Sequence, residues 1–471
     1  MLEVLYVGAN KDCIGITRLD LKSLNPILNI KNYIYMYYNY LHIIKGEQYN
    51  VAFSYKDFNL FIINDDQKEN INKSLEQRDN FKNDISKILN TSTANHNKIK
   101  TIKRITLCVS NDCNLRCKYC YAQGGNYGKE RQLMNKETAI SFVNFCYKEF
   151  TDINEILFFG GEPMLNWKII NLICSLFRDK RIEGGNLNPK FSIITNGTCI
   201  SESIIKLINE YISKITISID GSKEINDSNR VFKSGKGTYD KISYFIKKVR
   251  SSTKALITFE ATYTNLHINS KIARYDVKKM LSEEFKIKGI VVDEDSIDKN
   301  NIYQNLDNLT KTNIKESKFE CLPIDFWQIL FSITNKKDNK FCPIMQDRIT
   351  VSTKGDLYAC QMVNGKDNCK LGNIKDDAIM DKIWNISKID KDNDDCNNCW
   401  CNRLCGGCTV QKFFDKESQC FRYSPNNTVC NFQRKYIEKI LQIICAIRID
   451  GELWRDLINV LKIRNSNIET I

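Results

Sequence analysis

Histidine is scarce in this chain: His42, His96 and His267 are the only three among 471 residues. Zinc sites commonly pair histidine with cysteine, so the scarcity weakens a zinc reading wherever cysteines cluster. Long apolar runs are missing as well. The most apolar early stretch, Tyr33–Ile44, is too short to span a bilayer, which takes about 20 residues, and no basic segment with an apolar core opens the chain. These absences predict no membrane span and a cytoplasmic location. The 20 cysteines are roughly 4% of the chain, below the roughly 8–10% of a small disulfide scaffold. In a reducing cytoplasm, clustered thiols are ligands or catalysts rather than bridges.

What is present is a large globular composition, 42% hydrophobic and 27% charged, enough to bury a core across two or three domains. The formal charge is +13 with every thiol counted as neutral. Lysine and asparagine are scattered along the chain rather than gathered in a stripe, which argues against nucleic acid. A peptide rich in acidic residues accounts equally well for the mild positive charge.

Cysteines gather at residues 113–120, CNLRCKYC, just after the apolar run Ile105–Ser110. A four-iron four-sulfur cluster takes four cysteines, so a compact set of three, Cys113, Cys117 and Cys120, leaves one iron open to a non-protein ligand. By spacing alone, a zinc site completed from elsewhere or three buried thiols remain open readings.

Beyond Thr101 the sequence alternates. Strand-length apolar runs fall at Ile105–Ser110, Glu155–Phe159, Phe191–Thr195, Lys214–Ile219, Ala255–Ala261 and Ile287–Val292. Helical patterns lie between them, at Asn135–Phe150, Asn166–Phe177, Glu202–Ile212, Tyr239–Val249 and Ile268–Phe285. Six strand-helix repeats predict an α/β fold built on a parallel barrel, with the chemistry at the carboxyl ends of the strands.

Short motifs close several of these strands. GGEP, Gly160–Pro163, offers glycines that let backbone approach a ligand, and Glu162 as an acceptor for an ammonium group. TNGT, Thr195–Thr198, closes the third strand with short polar side chains. In SIDG, Ser218 and Asp220 share a side by the period of two, and two such groups can share the hydroxyls of a ribose. Arg230, in SNRVFKSGKG, is either a ligand-directed cation or a solvated one on a glycine loop. Glu260 faces the barrel interior if Thr258 and Thr262 do, as a site carboxylate or a buried structural one.

Cysteines thicken again near the carboxyl end. Cys342 is followed by TVSTKGDLYACQM, which contains Cys360, then by Cys396, Cys399, Cys405 and Cys408 in CNNCWCNRLCGGC, and then by Cys430. A zinc ribbon is the alternative for the four-cysteine block taken alone. Cys13, Cys108, Cys146, Cys174, Cys199, Cys369 and Cys445 read as buried residues in apolar or helical settings.

The C-x3-C-x2-C spacing, with Tyr119 before the last cysteine, resembles the signature of radical S-adenosylmethionine enzymes, and the carboxyl-terminal pattern resembles the SPASM domain. The resemblance implies a partial (β/α)6 barrel over residues 100–320, an N-terminal α+β module over 1–95, a SPASM domain over 321–447 and a helical tail over 448–471. In peptide-modifying relatives a module like the first one grips the leader of a precursor peptide; a plain packing extension explains it equally. Asn90–Lys100 reads as the linker.

The family pattern implies that Cys113, Cys117 and Cys120 hold a cluster that chelates S-adenosylmethionine. Tyr119, Gly160, Gly161, Glu162, Asn196, Ser218 and Asp220 are then carried over as cofactor contacts, and Arg230 as a reach toward the cofactor carboxylate. Cys342, Cys360 and Cys408 would hold one auxiliary four-iron four-sulfur cluster, with Cys321 or a substrate thiolate as fourth ligand. Cys396, Cys399, Cys405 and Cys430 would hold a second. Only two residues separate Cys405 from Cys408 where the family usually has three, and Cys401 and Cys420 are extra. Three clusters would remove about five charges and leave about +8.

Reduction of the first cluster by a flavodoxin or ferredoxin, implied by the resemblance, would release a 5'-deoxyadenosyl radical that abstracts a substrate hydrogen. Gln361 stands where related sulfatase maturases carry an aspartate base, and an amide cannot take that proton. The pattern therefore favours a maturase that forms thioethers in a cysteine-rich ribosomal peptide, as in sactipeptides or ranthipeptides. A formylglycine-forming sulfatase maturase is the alternative, and a non-catalytic iron-sulfur carrier or peptide-binding scaffold is the reading from another class.

Overall fold

The computed structural model describes residues 41–46, 50–66, 68, 69 and 72, then 101–294 apart from 273 and 288, then 319, 322, 324–339, 342, 344, 345, 347–386, 394–415, 417, 418, 420–422 and 424–468. Met1–Gly8, whose apolar pattern reads as a short strand, the linker Asn90–Lys100, Cys13 and Cys321 lie outside the described residues. So do nearly all of Ile71–Leu89, a charged stretch that reads as helical, and of Asp293–Ser317, a polar stretch without periodicity that reads as a loop. Among the described residues no helix is long and apolar enough to cross a membrane.

Among the described residues three short strands come first, β1 (Leu41–Ile44), β2 (Asn50–Ser54) and β3 (Leu60–Ile63), paired antiparallel in that order. Six parallel strands follow: β4 (Thr101–Ser110), β5 (Asp152–Gly160), β6 (Lys190–Thr195), β7 (Ile212–Ser218), β8 (Leu256–Tyr263) and β9 (Ile290–Glu294). The helices between them are α1 (Lys136–Glu149), α2 (Trp167–Ile182), α3 (Glu202–Tyr211), α4 (Lys223–Asn229), α5 (Tyr239–Ser252), α6 (Asn265–Asn269) and α7 (Arg274–Phe285). Their starts are written locally. Asn135 caps α1 by accepting from Thr138 N–H, and Ser201 and Ser222 do the same for α3 and α4. The single helix expected at Ile268–Phe285 is divided in two, with Lys271 in the left-handed region at φ 57° between the halves.

The strands β4 to β9 lie side by side in chain order, each parallel to the next. Parallel strands joined in chain order without a reversal carry their connecting helices on one face when the crossovers keep the usual right hand. Successive helices accordingly pack on one another, α1 on α2, α2 on α3 and α3 on α5. Burial alternates to match. Ile215 and Ile217 on β7, and Phe259 and Ala261 on β8, are buried toward the helices, whereas Thr216, Ser218, Thr258, Glu260 and Thr262 stay half-buried on the other face.

Three further strands, β10 (Arg348–Val351), β11 (Asp356–Tyr358) and β12 (Lys370–Asn373), extend the sheet beyond β4, with β10 parallel to β4 and the next two antiparallel. Residues 348–373 thus share the barrel's sheet and apolar core. A second core joins β2 and β3 to the helices α8 (Ile324–Asn335), α9 (Asn427–Ile449) and α10 (Gly451–Ile468), through Phe53, Phe58, Phe326, Ile440, Leu441 and Leu457. The described part of the expected N-terminal module is therefore packed with the carboxyl-terminal helices.

Candidate active site

The loop after β4 carries Cys113, Cys117 and Cys120, and two segments from elsewhere hold it. Arg116 N–H donates to Val231 O at 2.7 Å and Lys118 N–H to Asn229 O at 3.0 Å. On its other side Gly161 N–H donates to Ser110 O and Glu162 N–H to Asp112 O, both at 2.8 Å. A Cβ on Gly161 would sit 2.2 Å from Asp112 O, and one on Gly160 2.2 Å from Ser110 O. Sequence reasoning assigned these glycines to the approach of a ligand; the close approach the structure records is to the cysteine loop itself.

Glu162 is fully buried. Its Oε1 accepts from Met164 N–H at 2.9 Å and Thr195 Oγ1 at 2.7 Å, and its Oε2 from Asn196 N–H at 2.7 Å. Burial pushes its carboxyl up, and these three donors oppose the shift. The carboxylate ties the ends of β5 and β6 together. Asn196 extends the tie to the cysteine loop, with Nδ2 2.9 Å from Asn114 Oδ1 and 3.7 Å from Cys113 Sγ. Asn114 in turn donates to Thr198 Oγ1 at 2.8 Å and faces Cys199 Sγ at 3.8 Å. Asn114, Thr195, Thr198 and Cys199 were not named as site residues from sequence, although the first three sit inside motifs that were and Cys199 directly follows one.

A second buried knot lies at the ends of β7 and β8. Tyr119 Oη donates to Asp220 Oδ2 at 2.8 Å and accepts from Arg230 Nη1 at 2.5 Å. Thr262 N–H donates to Asp220 Oδ1 at 3.1 Å, and His267 Nε2 lies 2.8 Å from Asp220 O. Asp220, expected beside Ser218 on a ribose, thus has both carboxylate oxygens engaged by the protein, and burial pushes its carboxyl up. Arg230 is 6% exposed, and its Nε is buried without a hydrogen-bond partner among the described residues. It faces Cys117, whose thiol burial raises and this guanidinium lowers. Ser218 and Glu260 are register partners on neighbouring strands, both half-buried on the face away from the helices.

Three thiols on one loop can ligate three irons of a four-iron cluster and leave the fourth to a non-protein ligand. A zinc ion, with Zn–S of about 2.3 Å, would draw sulfurs to about 4 Å from one another; a four-iron cluster binds each thiolate at a different iron. Cys113, Cys117 and Cys120 lie within electrostatic reach of each other, and burial pushes the Cys113 thiol up to about 12. Leu115 N–H donates to Cys113 Sγ at 3.4 Å, a contact that opposes the rise from burial, and Gly124 N–H donates to Cys120 Sγ at 3.3 Å. The orphaned Arg230 Nε beside them suits an anionic group such as a carboxylate.

The carboxyl-terminal cysteines fall into two sets. Cys342 N–H donates to Gly407 O at 2.9 Å, which brings Cys342 beside Cys408, and both lie within electrostatic reach of Cys360. Cys396, Cys399, Cys401, Cys405 and Cys430 line one cavity of about 70 Å³. Lys412, 3% exposed, donates from Nζ to Cys405 Sγ at 2.6 Å in that cavity.

Comparison with known proteins agrees with this geometry. The family description "Radical SAM superfamily" matches residues 107–263. An uncharacterized protein of Methanocaldococcus jannaschii is 32% identical over 279 residues, 58% of this chain and 90% of that protein. The radical SAM cyclopropyl synthase TigE of Paramaledivibacter caminithermalis is 26% identical over 434 residues, 82% of this chain and 85% of its own. A cysteine-type anaerobic sulfatase-maturating enzyme of Clostridium novyi is 25% identical over 380 residues, 72% of this chain and 96% of its own. Among solved structures, native anSMEcpe with bound AdoMet shares the fold, with a TM-score of 0.57 and 22% identity over 76% of this chain and 99% of that one.

Proposed function

Because the chain belongs to the radical SAM superfamily of enzymes, binding S-adenosylmethionine and a four-iron four-sulfur cluster, we propose that it matures a cysteine-rich ribosomal peptide by joining cysteine sulfur to carbon. The observation that carries this reading over sulfatase maturation is Gln361, next to Cys360, whose Sγ lies 3.5 Å from Gln361 Oε1. A carboxylate at that place could take a substrate proton; an amide cannot.

Bound at Cys113, Cys117 and Cys120, the cofactor and its cluster supply the hydrogen-abstracting chemistry. The chain's own groups bind, orient and exclude water. Arg230 offers its unpaired Nε to the cofactor carboxylate, Tyr119 and Asp220 hold that guanidinium in place, and Glu162 and Asn196 fix the floor on which the cysteine loop rests. Glu260 and Ser218 stand on the half-buried face toward which substrate would be presented. Cys342, Cys360 and Cys408 form one auxiliary iron-sulfur site, with Cys321 or a substrate thiolate completing it, and the cavity at Cys396–Cys430 forms the second. A flavodoxin or ferredoxin is the electron donor.

Sulfatase maturation is the second reading, favoured by a relative named for it that aligns along 96% of its own length. One experiment separates the two. Co-expressed with a short cysteine-rich peptide, chosen from any encoded beside its gene, the protein is expected to remove two hydrogens per linkage from the peptide mass, and Cys113→Ala to abolish the change. Exchange of cysteine sulfur for oxygen together with loss of two hydrogens, the change to formylglycine, in a sulfatase-derived peptide would establish the second reading, and an unchanged mass with full cluster loading would remove the thioether assignment.

A further inference from the structure

Five cysteines line the cavity at Cys396–Cys430, whereas a four-iron four-sulfur cluster takes four. The supernumerary one is Cys401. It is 1% exposed, and its Sγ lies 3.5 Å from that of Cys399. Successive tight turns put it there: Cys399 N–H donates to Cys396 O at 3.0 Å, Asn402 N–H to Cys399 O at 3.0 Å and Cys405 N–H to Cys401 O at 2.8 Å. Each turn swings another thiol toward the same space. Cys401 packs into the second apolar core, yet its sulfur also has those of Cys399 and Cys405 as hydrogen-bond neighbours. Lys412 at Cys405 and Arg434 at Cys399 bring two cations that offset thiolate charge in the cavity.

We propose that Cys401 is a reserve iron ligand of this cavity, placed to take over the iron held by Cys399. The exchange conserves atoms and charge. The Cys401 thiol hands its proton to the departing Cys399 sulfur, one iron–sulfur bond forms as the other breaks, and no electron moves. The inference rests on the auxiliary-cluster reading of this cavity, and the experiment separates their failures.

Iron and sulfide per chain, with EPR spectra after reduction, are measured on the full-length protein reconstituted anaerobically, as wild type, Cys399→Ala, Cys401→Ala and the double variant. Cys399→Ala is expected to keep wild-type iron with an altered auxiliary EPR signal, and Cys401→Ala to keep both iron and signal. The double variant loses about four irons. Its surviving signal from the Cys113 site reports that the chain is folded. Loss of about four irons in Cys399→Ala alone, or full retention in the double variant, overturns the reserve role. Loss in Cys401→Ala alone overturns it too, making Cys401 a permanent ligand. Zinc in place of iron in the wild-type cavity overturns the auxiliary-cluster reading itself.

Discussion

At Glu162, Met164 N–H, Thr195 Oγ1 and Asn196 N–H converge on a fully buried carboxylate, and removing it strands three donors. A buried donor left unmade costs about 1–3 kcal/mol. Glu162→Ala is therefore expected to lose about 3 kcal/mol or more in urea unfolding. Gly161→Ala should act differently. Its new methyl would press on Asp112 O at 2.2 Å and displace the cysteine loop, so iron at the Cys113 site falls while iron at the carboxyl-terminal cysteines stays. Lys412 supports a third expectation. Lys412→Met removes an ammonium 2.6 Å from Cys405 Sγ, takes a positive charge from beside the cluster proposed there and is expected to lower its midpoint potential, as read by EPR-monitored titration.

Among the elements, the segment 229–232 decides how firmly the cysteine loop sits, because Asn229 and Val231 carbonyls accept its amides while Arg230 points at Cys117. Asn229 Nδ2 anchors that segment to Thr264 Oγ1 at 3.1 Å, just past β8. Asn229→Ala should cost about 1 kcal/mol and weaken S-adenosylmethionine binding, measured by titration, with iron content unchanged. The strands around this clamp were legible in sequence, since the periods of β7 and β8 are local properties, and the shared parity read for Thr258, Glu260 and Thr262 puts all three on one half-buried face. Pairings across long sequence separations were not legible. Nothing near Asp220 announces that its carboxyl meets Tyr119 a hundred residues earlier, or that His267 holds its carbonyl. Likewise β10 gives no local sign that its partner is β4, because a short parallel strand carries no turn that names its neighbour.

At the scale of the whole molecule, two apolar cores among the described residues carry two groups of cysteines. The barrel core extends through β10 and β11 to Cys360, whereas Cys401 and Leu404 belong to the second core together with β2, β3, α8, α9 and α10. The N-terminal strands are keyed into the cysteine block at several points. His42 stacks on Trp400 at 3.7 Å, the Arg403 guanidinium lies 4.1 Å from the Phe58 ring centroid, and Arg403 also reaches Lys56 O. Truncating Phe53, 0% exposed, to alanine should cost about 3–5 kcal/mol, since a buried phenylalanine leaves a cavity its neighbours cannot close. Removing residues 1–66 strips Val51, Phe53, Phe58 and Leu60 from the second core at once. The expected outcome is loss of iron at the Cys396–Cys430 cavity with the Cys113 site still loaded, measured as iron per chain and by EPR. A module serving only to grip a leader peptide would give the opposite result: full iron at every site, and a weaker dissociation constant for the peptide alone.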